Sequence, residues 1–465
     1  MFFKKSSPLS GQIKLLALLE LMCLISVFYD VEAFVRWFSP SNTLNTFASP
    51  LQSFVYIAIV QLAFLSLGLY TKKNRASVKG TLTRIITAIS FGVIGFVMTW
   101  PLMSDSNFNV DYIVMLPIIT FILIGGVRVY VINTDWLGSK VRNVLFLGAG
   151  EMAAYVETRM RRSKDRQGFA IHGFVPVKGD KEGVKKERIL NIPQNKLVIY
   201  ALEHNIDEIV VSCDEPRQSL HVDELLACKT KGIDVIDMCD FVEREIEQIP
   251  TNFLTTSKLL STGGFQSGNH ARNVFDWFFN VGLAYILFVL TWPIMLVTAL
   301  LIKLEDGWSS PVLYSQERVG VKGETFNIYK FRSMSIDAEK NGAQMAGVKD
   351  SRVTKIGHYI RKFRIDELPQ IFNVMRGDMG FVGPRPERPV FVNELVQKYG
   401  YFSERHNVKP GLTGWAQLMY PYGATHHDSF EKLKFDLYYI KHRSFVFDIL
   451  ILIRTIEVVI FGKGR

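Results

Sequence analysis

The segment VFDWFFNVGLAYILFVLTWPIMLVTALLI, Val274–Ile302, decides the architecture of this chain, because whatever follows it lies on the side of the membrane where it ends. As a helix it is long enough to span a bilayer, which takes about 20 apolar residues. Arg272 and Lys303 flank both ends, so charge sets no direction of crossing. Pro293, in the middle after Trp292, removes a helical hydrogen bond and bends the helix. A straight crossing would place everything after Lys303 outside the cell, away from cytosolic nucleotides. A helix that enters one leaflet, bends at Pro293 and returns to the same face avoids this, and residues 273–303 are read as such a re-entrant membrane helix.

Toward the N-terminus the chain is more apolar still. Of 465 residues 48% are hydrophobic, high for a soluble protein, and the excess is local. Apolar runs occupy Ile13–Phe38, Leu51–Tyr70, Leu82–Met103 and Tyr112–Ile132, each near the length of a crossing helix. Residues 1–139 therefore read as a four-helix transmembrane bundle. Lys4 and Lys5 precede the first run. Lys72, Lys73, Arg75, Lys79 and Arg84 fall at the second junction, and Lys140 and Arg142 follow the fourth run, while Ser39–Pro50 and Ser104–Asp111 hold no Lys or Arg. The positive-inside rule then puts both ends of this unit in the cytoplasm. The first run lacks a small-residue cleavage site after it and reads as a retained anchor.

Between these membrane parts, residues 140–250 switch to a strand, glycine turn, helix pattern beginning at Val141, with Gly148, Gly150 and Ala153 at the turn. Further strands are expected at Phe169–Val177, Leu197–Ile199, Glu208–Ser212 and Gly232–Ile236, giving a doubly wound, Rossmann-like α/β domain. The glycine fingerprint is incomplete, because Ala153 holds the third position and Asp180 lies further on than a ribose-binding acid. The fold is expected without a bound dinucleotide, and a regulatory nucleotide site stays open. Residues 251–272, rich in Ser, Thr, Gly and Asn, read as a linker. The four cysteines, Cys23, Cys213, Cys228 and Cys239, have no zinc-like spacing and read as free thiols of a reducing compartment. A net charge of +10 favours anionic lipid and phosphorylated substrates, and no nucleic-acid-binding motif accompanies it.

After Lys303, residues 304–465 concentrate the chemistry. Arg364–Gln370 places Asp366 and Glu367 side by side at the expected start of a short helix, with Asp366 as N-cap and Pro369 in the first turn. A carboxylate there, among many Lys and Arg, could attack phosphorus or hold a hard cation such as Mg²⁺. Arg385 stands between two prolines, so its backbone is stiff and its guanidinium can be aimed at a phosphate. Phe435–Tyr439 and Val446–Phe461 read as interfacial helices, with a buried core helix equally compatible with the pattern. His426 and His427 have no third ligand nearby and read as surface or loop residues.

The runs KFRSM (330–334), IDELPQ (365–370), VGPRPE (382–387) and PGLTGWAQ (410–417), in this order, closely resemble those of the bacterial polyprenyl-phosphate sugar-1-phosphate transferases. The resemblance covers the whole chain in the family's long, multi-span form; Gly380 stands where the family usually has Ser. It implies a multi-domain membrane protein of the bacterial inner membrane whose mainly helical catalytic domain is cytosolic. The implied reaction moves a sugar 1-phosphate from a UDP-sugar to undecaprenyl phosphate, giving the lipid diphosphosugar and UMP, the first step of exopolysaccharide, capsule or O-antigen assembly. In matching positions Asp366 would be the nucleophile and Glu367 would help hold Mg²⁺. Arg385 would bind a phosphate, Lys330 and Arg332 would support the pocket, and Pro293 would bend the re-entrant helix. Membrane lipids are implied partners, and a homodimer would suit the long middle domain. Two alternatives are a scaffold or sensor of the polysaccharide machinery and a membrane-anchored nucleotide-sugar dehydratase or epimerase; the latter should carry a Tyr-x-x-x-Lys pair, which this sequence lacks.

Overall fold

The computed structural model describes residues 9–38, 50–70, 78–99, 110–134, 141–160, 166, 168–181, 183–193, 196–214, 222–253, 270–335, 352–420, 423 and 425–461. Lys4, Lys5, Lys72, Lys73, Arg75 and Lys140, nearly all of the loops 39–50 and 104–111, and most of the linker lie outside them. The chain divides into two compact units, Met1–Met238 and Cys239–Arg465.

The first unit opens with four helices, α1 (Leu9–Phe38), α2 (Pro50–Ser66), α3 (Val78–Thr99) and α4 (Val110–Asn133), close to the four apolar runs. They share one core in which Tyr56, Val60 and Phe64 of α2 meet Phe96 of α3. Gly92 of α3 makes this approach possible, since a Cβ there would lie 2.4 Å from Val60. The buried charges are paired: Arg128 donates to Glu20 and to the Leu69 carbonyl, and the Tyr70 hydroxyl also donates to Glu20. Met22, Phe54, Met98 and Ile122 point outward and are exposed. Among the described residues, Gly80–Thr99, Ile113–Asn133 and Arg272–Asp306 are long and apolar enough to cross a membrane, and Pro50–Leu65 is a shorter apolar helix.

An α/β layer follows, with β1 (Arg142–Leu147), α5 (Glu151–Arg159), β2 (Phe169–Val175), α6 (Leu197–Glu203), β3 (Glu208–Val211), α7 (Val222–Thr230) and β4 (Asp234–Asp237). The sheet is parallel throughout in the order β2-β1-β3-β4. The strand expected at Leu197–Ile199 is instead the start of α6. Leu197 and Ala201, one helical turn apart, are both buried, so helical spacing carries the burial there. All four cysteines are free.

The second unit holds α8 (Met238–Ile246, its first residue in the first unit), then α9 (His270–Asp306), a single 37-residue helix with Pro293 inside it. Most of its large apolar side chains are exposed, among them Phe278, Tyr285, Leu296 and Leu304. Next come an antiparallel hairpin of β5 (Leu313–Val319) and β6 (Thr325–Phe331), then α10 (Lys355–Lys362), a 3₁₀ turn (Ile365–Gln370) and α11 (Ile371–Arg376). The rest comprises β7 (Gly380–Val382), α12 (Pro389–Lys398), β8 (Gly411–Thr413), α13 (Trp415–Met419), α14 (His426–His442) and α15 (Phe445–Phe461). The VGPRPE and PGLTGWAQ runs form one object, because β7 and β8 pair in parallel. Gly411 is required at their contact: a Cβ there would lie 2.1 Å from the Gly383 nitrogen.

Two expectations change in this unit. Phe435–Tyr439 belongs to α14 and is core, with Leu433, Leu437 and Tyr439 buried on several faces of the helix, so it is not interfacial. In α15, Ile451 is buried while Val446 and Ile456 are exposed, leaving one apolar face uncovered. His426 and His427 lie in the first turn of α14, started by a Thr425–Asp428 capping box; His427 is exposed and His426 half-exposed, so they are surface residues as expected, on a helix and not in a loop.

Candidate active site

Lys330 near the end of β6, the 3₁₀ turn and the loop after β7 converge on the two carboxylates. After α10 the chain reverses at Arg364, a non-glycine residue in the left-handed region (φ 59°). The turn therefore begins one residue ahead of Asp366, which is its second residue and makes no capping bond, contrary to the sequence expectation.

The two neighbours are treated differently. Glu367 Oε1 accepts from Lys330 Nζ and from Arg385 Nη2, each at 3.1 Å. Burial alone would raise its pKa, but Lys330 and Arg385, with Arg364 adding to them, hold the carboxyl well below the usual range. Asp366 is buried and its Oδ1 has no hydrogen-bond partner. Burial and the adjacent Glu367 charge push Asp366 up to about 6, against the pull of Lys330, Arg364 and Arg361. Lys330 is shifted down by its burial, with Glu367 opposing the shift.

The cations are themselves held from behind. The Arg405 guanidinium donates to the Arg385 carbonyl (2.8 Å) and pairs with Asp436 (3.0 Å). Burial pushes Asp436 up to about 6 despite that partner. Arg318 donates to the Pro386 carbonyl. Asn373 of α11, fully buried, accepts from the Tyr329 amide (3.1 Å) and donates to the Asn327 carbonyl (2.7 Å), fastening β6 beside the 3₁₀ turn. None of these supports announced itself in the sequence.

Asp366, Glu367, Lys330 and Arg385 thus come together. Arg332 is engaged elsewhere, by Asp306 at the end of α9 (2.7 Å), and its Nε and Nη1 are buried without partners. Pro293 lies on α9 rather than among the charged groups. Glu305 accepts from the Lys355 and Ile356 amides at the start of α10, and Asn280 Oδ1 accepts from the Phe381 amide (2.7 Å).

The glycine turn of the α/β layer is filled by its own chain. Asp214 accepts from the Glu151 and Met152 amides (3.0 and 3.1 Å), the N–H groups at the start of α5 that would cradle a dinucleotide phosphate. Asp180 accepts from the Ala149 and Val177 amides and from that of Asp214.

A carboxylate pair ringed by cations, Asp366 buried and Glu367 half-buried, thus lies in the same unit as the long, exposed apolar helix α9. A profile described as "Bacterial sugar transferase" matches residues 271–462. The UDP-N-acetylgalactosamine-undecaprenyl-phosphate N-acetylgalactosaminephosphotransferase of Aeromonas hydrophila is 48% identical over 172 residues, 37% of this chain and 40% of that protein. The undecaprenyl-phosphate glucose phosphotransferase of Komagataeibacter xylinus is 29% identical over 403 residues, 82% of this chain and 71% of that one. The uncharacterized sugar transferase EpsL of Bacillus subtilis (strain 168) is 37% identical over 186 residues, 40% of this chain and 87% of it. The chain belongs to the bacterial sugar transferase family.

Proposed function

We propose that the protein is a phosphoglycosyl transferase that moves a sugar 1-phosphate from a UDP-sugar to undecaprenyl phosphate at the cytosolic face of the bacterial inner membrane, initiating exopolysaccharide, capsule or O-antigen assembly. The observation that carries the reading is the asymmetric pair: one Glu367 oxygen engaged by both Lys330 and Arg385, Asp366 buried beside it with a free oxygen. Asp366 attacks the sugar-bearing phosphorus. A carboxylate oxygen–phosphorus bond forms, the diphosphate P–O bond breaks, and UMP leaves. A phosphate oxygen of the lipid then attacks the same phosphorus, breaks the acyl phosphate bond and regenerates the Asp366 carboxylate. Splitting the transfer in two spares the site from holding two large anions at once. Lys330 and Arg385 gather the charge that builds on the phosphoryl oxygens.

The residues fit a magnesium ion. Mg²⁺ usually takes one or two protein carboxylates together with substrate phosphates, and Asp366 and Glu367 supply such oxygens, one of them buried and unpartnered. Glu367 would hold the ion, which when bound would neutralise the donor diphosphate.

Several features support a re-entrant α9. At ~1.5 Å per residue, 37 residues make a helix of about 55 Å, far more than the ~30 Å apolar core of a bilayer. Toward one end Asp276 pairs with Arg443 and Asn280 with Phe381; at the other, Asp306 pairs with Arg332. Both ends are thus fastened to the same unit, as a helix returning to its own face requires. Thr291 Oγ1 donates to the Leu287 carbonyl, a bond that favours bending, two residues before Pro293.

The test is UMP release from a panel of UDP-hexoses with Mg²⁺ and undecaprenyl phosphate, wild type beside Asp366→Asn. The expected result is release with at least one sugar and a loss of about 10³-fold or more in the variant. Full activity in a folded variant would remove Asp366 from the nucleophile's role, and no release from wild type with any UDP-sugar would remove the donor class.

A further inference from the structure

The second unit carries a groove of about 440 Å³ between α9 and α10. One wall is α9, through Pro293, Val297 and Leu301; the other is α10 and its end, through Ile356, Tyr359 and Phe363. The volume lies in the range of small-ligand sites, ~300–1,000 Å³. Its lining is nearly all carbon, and the one hydroxyl on the α9 wall, Thr298, is already bonded to the Ile294 carbonyl (2.7 Å). Tyr359 and Phe363 are 64% and 61% exposed, an arrangement that water would penalise at ~25 cal/mol per Å². The groove also reaches Ile365, and the next residue in the chain is Asp366.

We propose that this groove holds the first isoprene units of the lipid acceptor, with the lipid phosphate lying toward Asp366. The assignment rests on the transferase reading and adds a subsite to it. The occupant follows from what the two ends of the groove offer. Apolar walls on an exposed apolar helix suit a hydrocarbon chain, whereas the diphosphate and sugar of a sugar nucleotide find almost no polar partner there. Beyond Ile365, Lys330 and Arg385 both bond Glu367, the neighbour of Asp366, at 3.1 Å, so an anionic head group arrives among cations. An isoprenoid phosphate is apolar along its chain and carries a phosphate monoester at its end. A membrane phospholipid would satisfy the walls, but its phosphodiester has no terminal phosphate to enter the reaction. Burial of each isoprene methylene contributes about 0.8 kcal/mol, so even two displaced methylenes are worth about tenfold in affinity.

The experiment uses the full-length protein in nanodiscs. The first readout is the burst of UMP from UDP-sugar without acceptor, which reports the donor step alone. The second is the KM for undecaprenyl phosphate. Val297→Trp, which fills the groove without adding charge, should keep the burst and raise the acceptor KM about tenfold or more. An intact burst with an unchanged acceptor KM overturns the subsite. Photo-crosslinking of wild type with a prenyl phosphate bearing a diazirine on its first isoprene unit does not depend on how the variant folds. Label within 293–301 or 355–365, displaced by undecaprenyl phosphate and not by phosphatidylglycerol, supports the proposal. Label elsewhere, or equal displacement by both lipids, overturns it. A wild type with no burst at all is a different result, since it sinks the donor chemistry rather than the groove.

Discussion

Asp366 and Glu367 are consecutive residues of one 3₁₀ turn, yet the fold gives their carboxyls opposite surroundings. Glu367 is held ionised by two cations on one oxygen, whereas burial and the Glu367 charge push the Asp366 carboxyl up to about 6. Neighbouring carboxylates with separated pKa values are a recurrent way to divide two roles between two like groups.

The first prediction concerns pH. Attack requires ionised Asp366, and its carboxyl sits at about 6 in the free protein. The donor step should therefore fall about tenfold per pH unit below that value and level off above it. Single-turnover UMP release across the acid range checks this; a flat profile from wild type would remove Asp366 as the titrating group.

Lys330 lowers both carboxyls. In Lys330→Met the acid limb of the same profile should move to higher pH, because Asp366 loses an opposing positive charge. A limb at the same pH with only a smaller plateau would mean that Lys330 binds substrate without tuning Asp366.

Arg385→Lys keeps the charge but not the planar fork. A loss of roughly ten- to a hundredfold in donor kcat/KM is expected, because a lysine head does not reproduce the guanidinium's placement at Glu367. Steady-state kinetics with the preferred UDP-sugar decides it.

Asn373→Ala should cost about 0.5–1.5 kcal/mol for each bond lost, because the fully buried Asn373 side chain bonds the Tyr329 amide and the Asn327 carbonyl. Thermal unfolding in detergent should show the drop, and an unchanged midpoint would mean that other groups or water replace those bonds.

In the α/β layer, Asp214→Ala frees the Glu151 and Met152 amides and should cost about 0.5–2 kcal/mol, the usual range for a lost helix cap. Wild type should show no thermal shift with dinucleotides, because their phosphate would have to displace Asp214 from α5. A clear shift with wild type would reopen the nucleotide site.

Much of the chain was legible before its structure. Hydropathy placed α1–α4 to within a few residues because apolar length is a local property. It misplaced Leu197–Ile199, where a short apolar run does not tell a strand from one turn of a helix. It also made Asp366 a cap, since nothing local announces the left-handed Arg364 that starts the turn early. The order of the KFRSM, IDELPQ and VGPRPE runs identified the carboxylates and the cations as residue types.

By itself, then, the sequence determined where the apolar helices lie, that the middle of the chain is α/β, and which residues carry charge near the C-terminal motifs. Only the tertiary structure decided that Lys330 and Arg385, 37 and 18 positions from Glu367, meet on one of its oxygens and leave Asp366 beside them with a free one. Periodicity and propensity act over a turn or two of chain, whereas the electrostatics of a buried pair depends on groups within a few ångströms in space, whatever their separation in sequence.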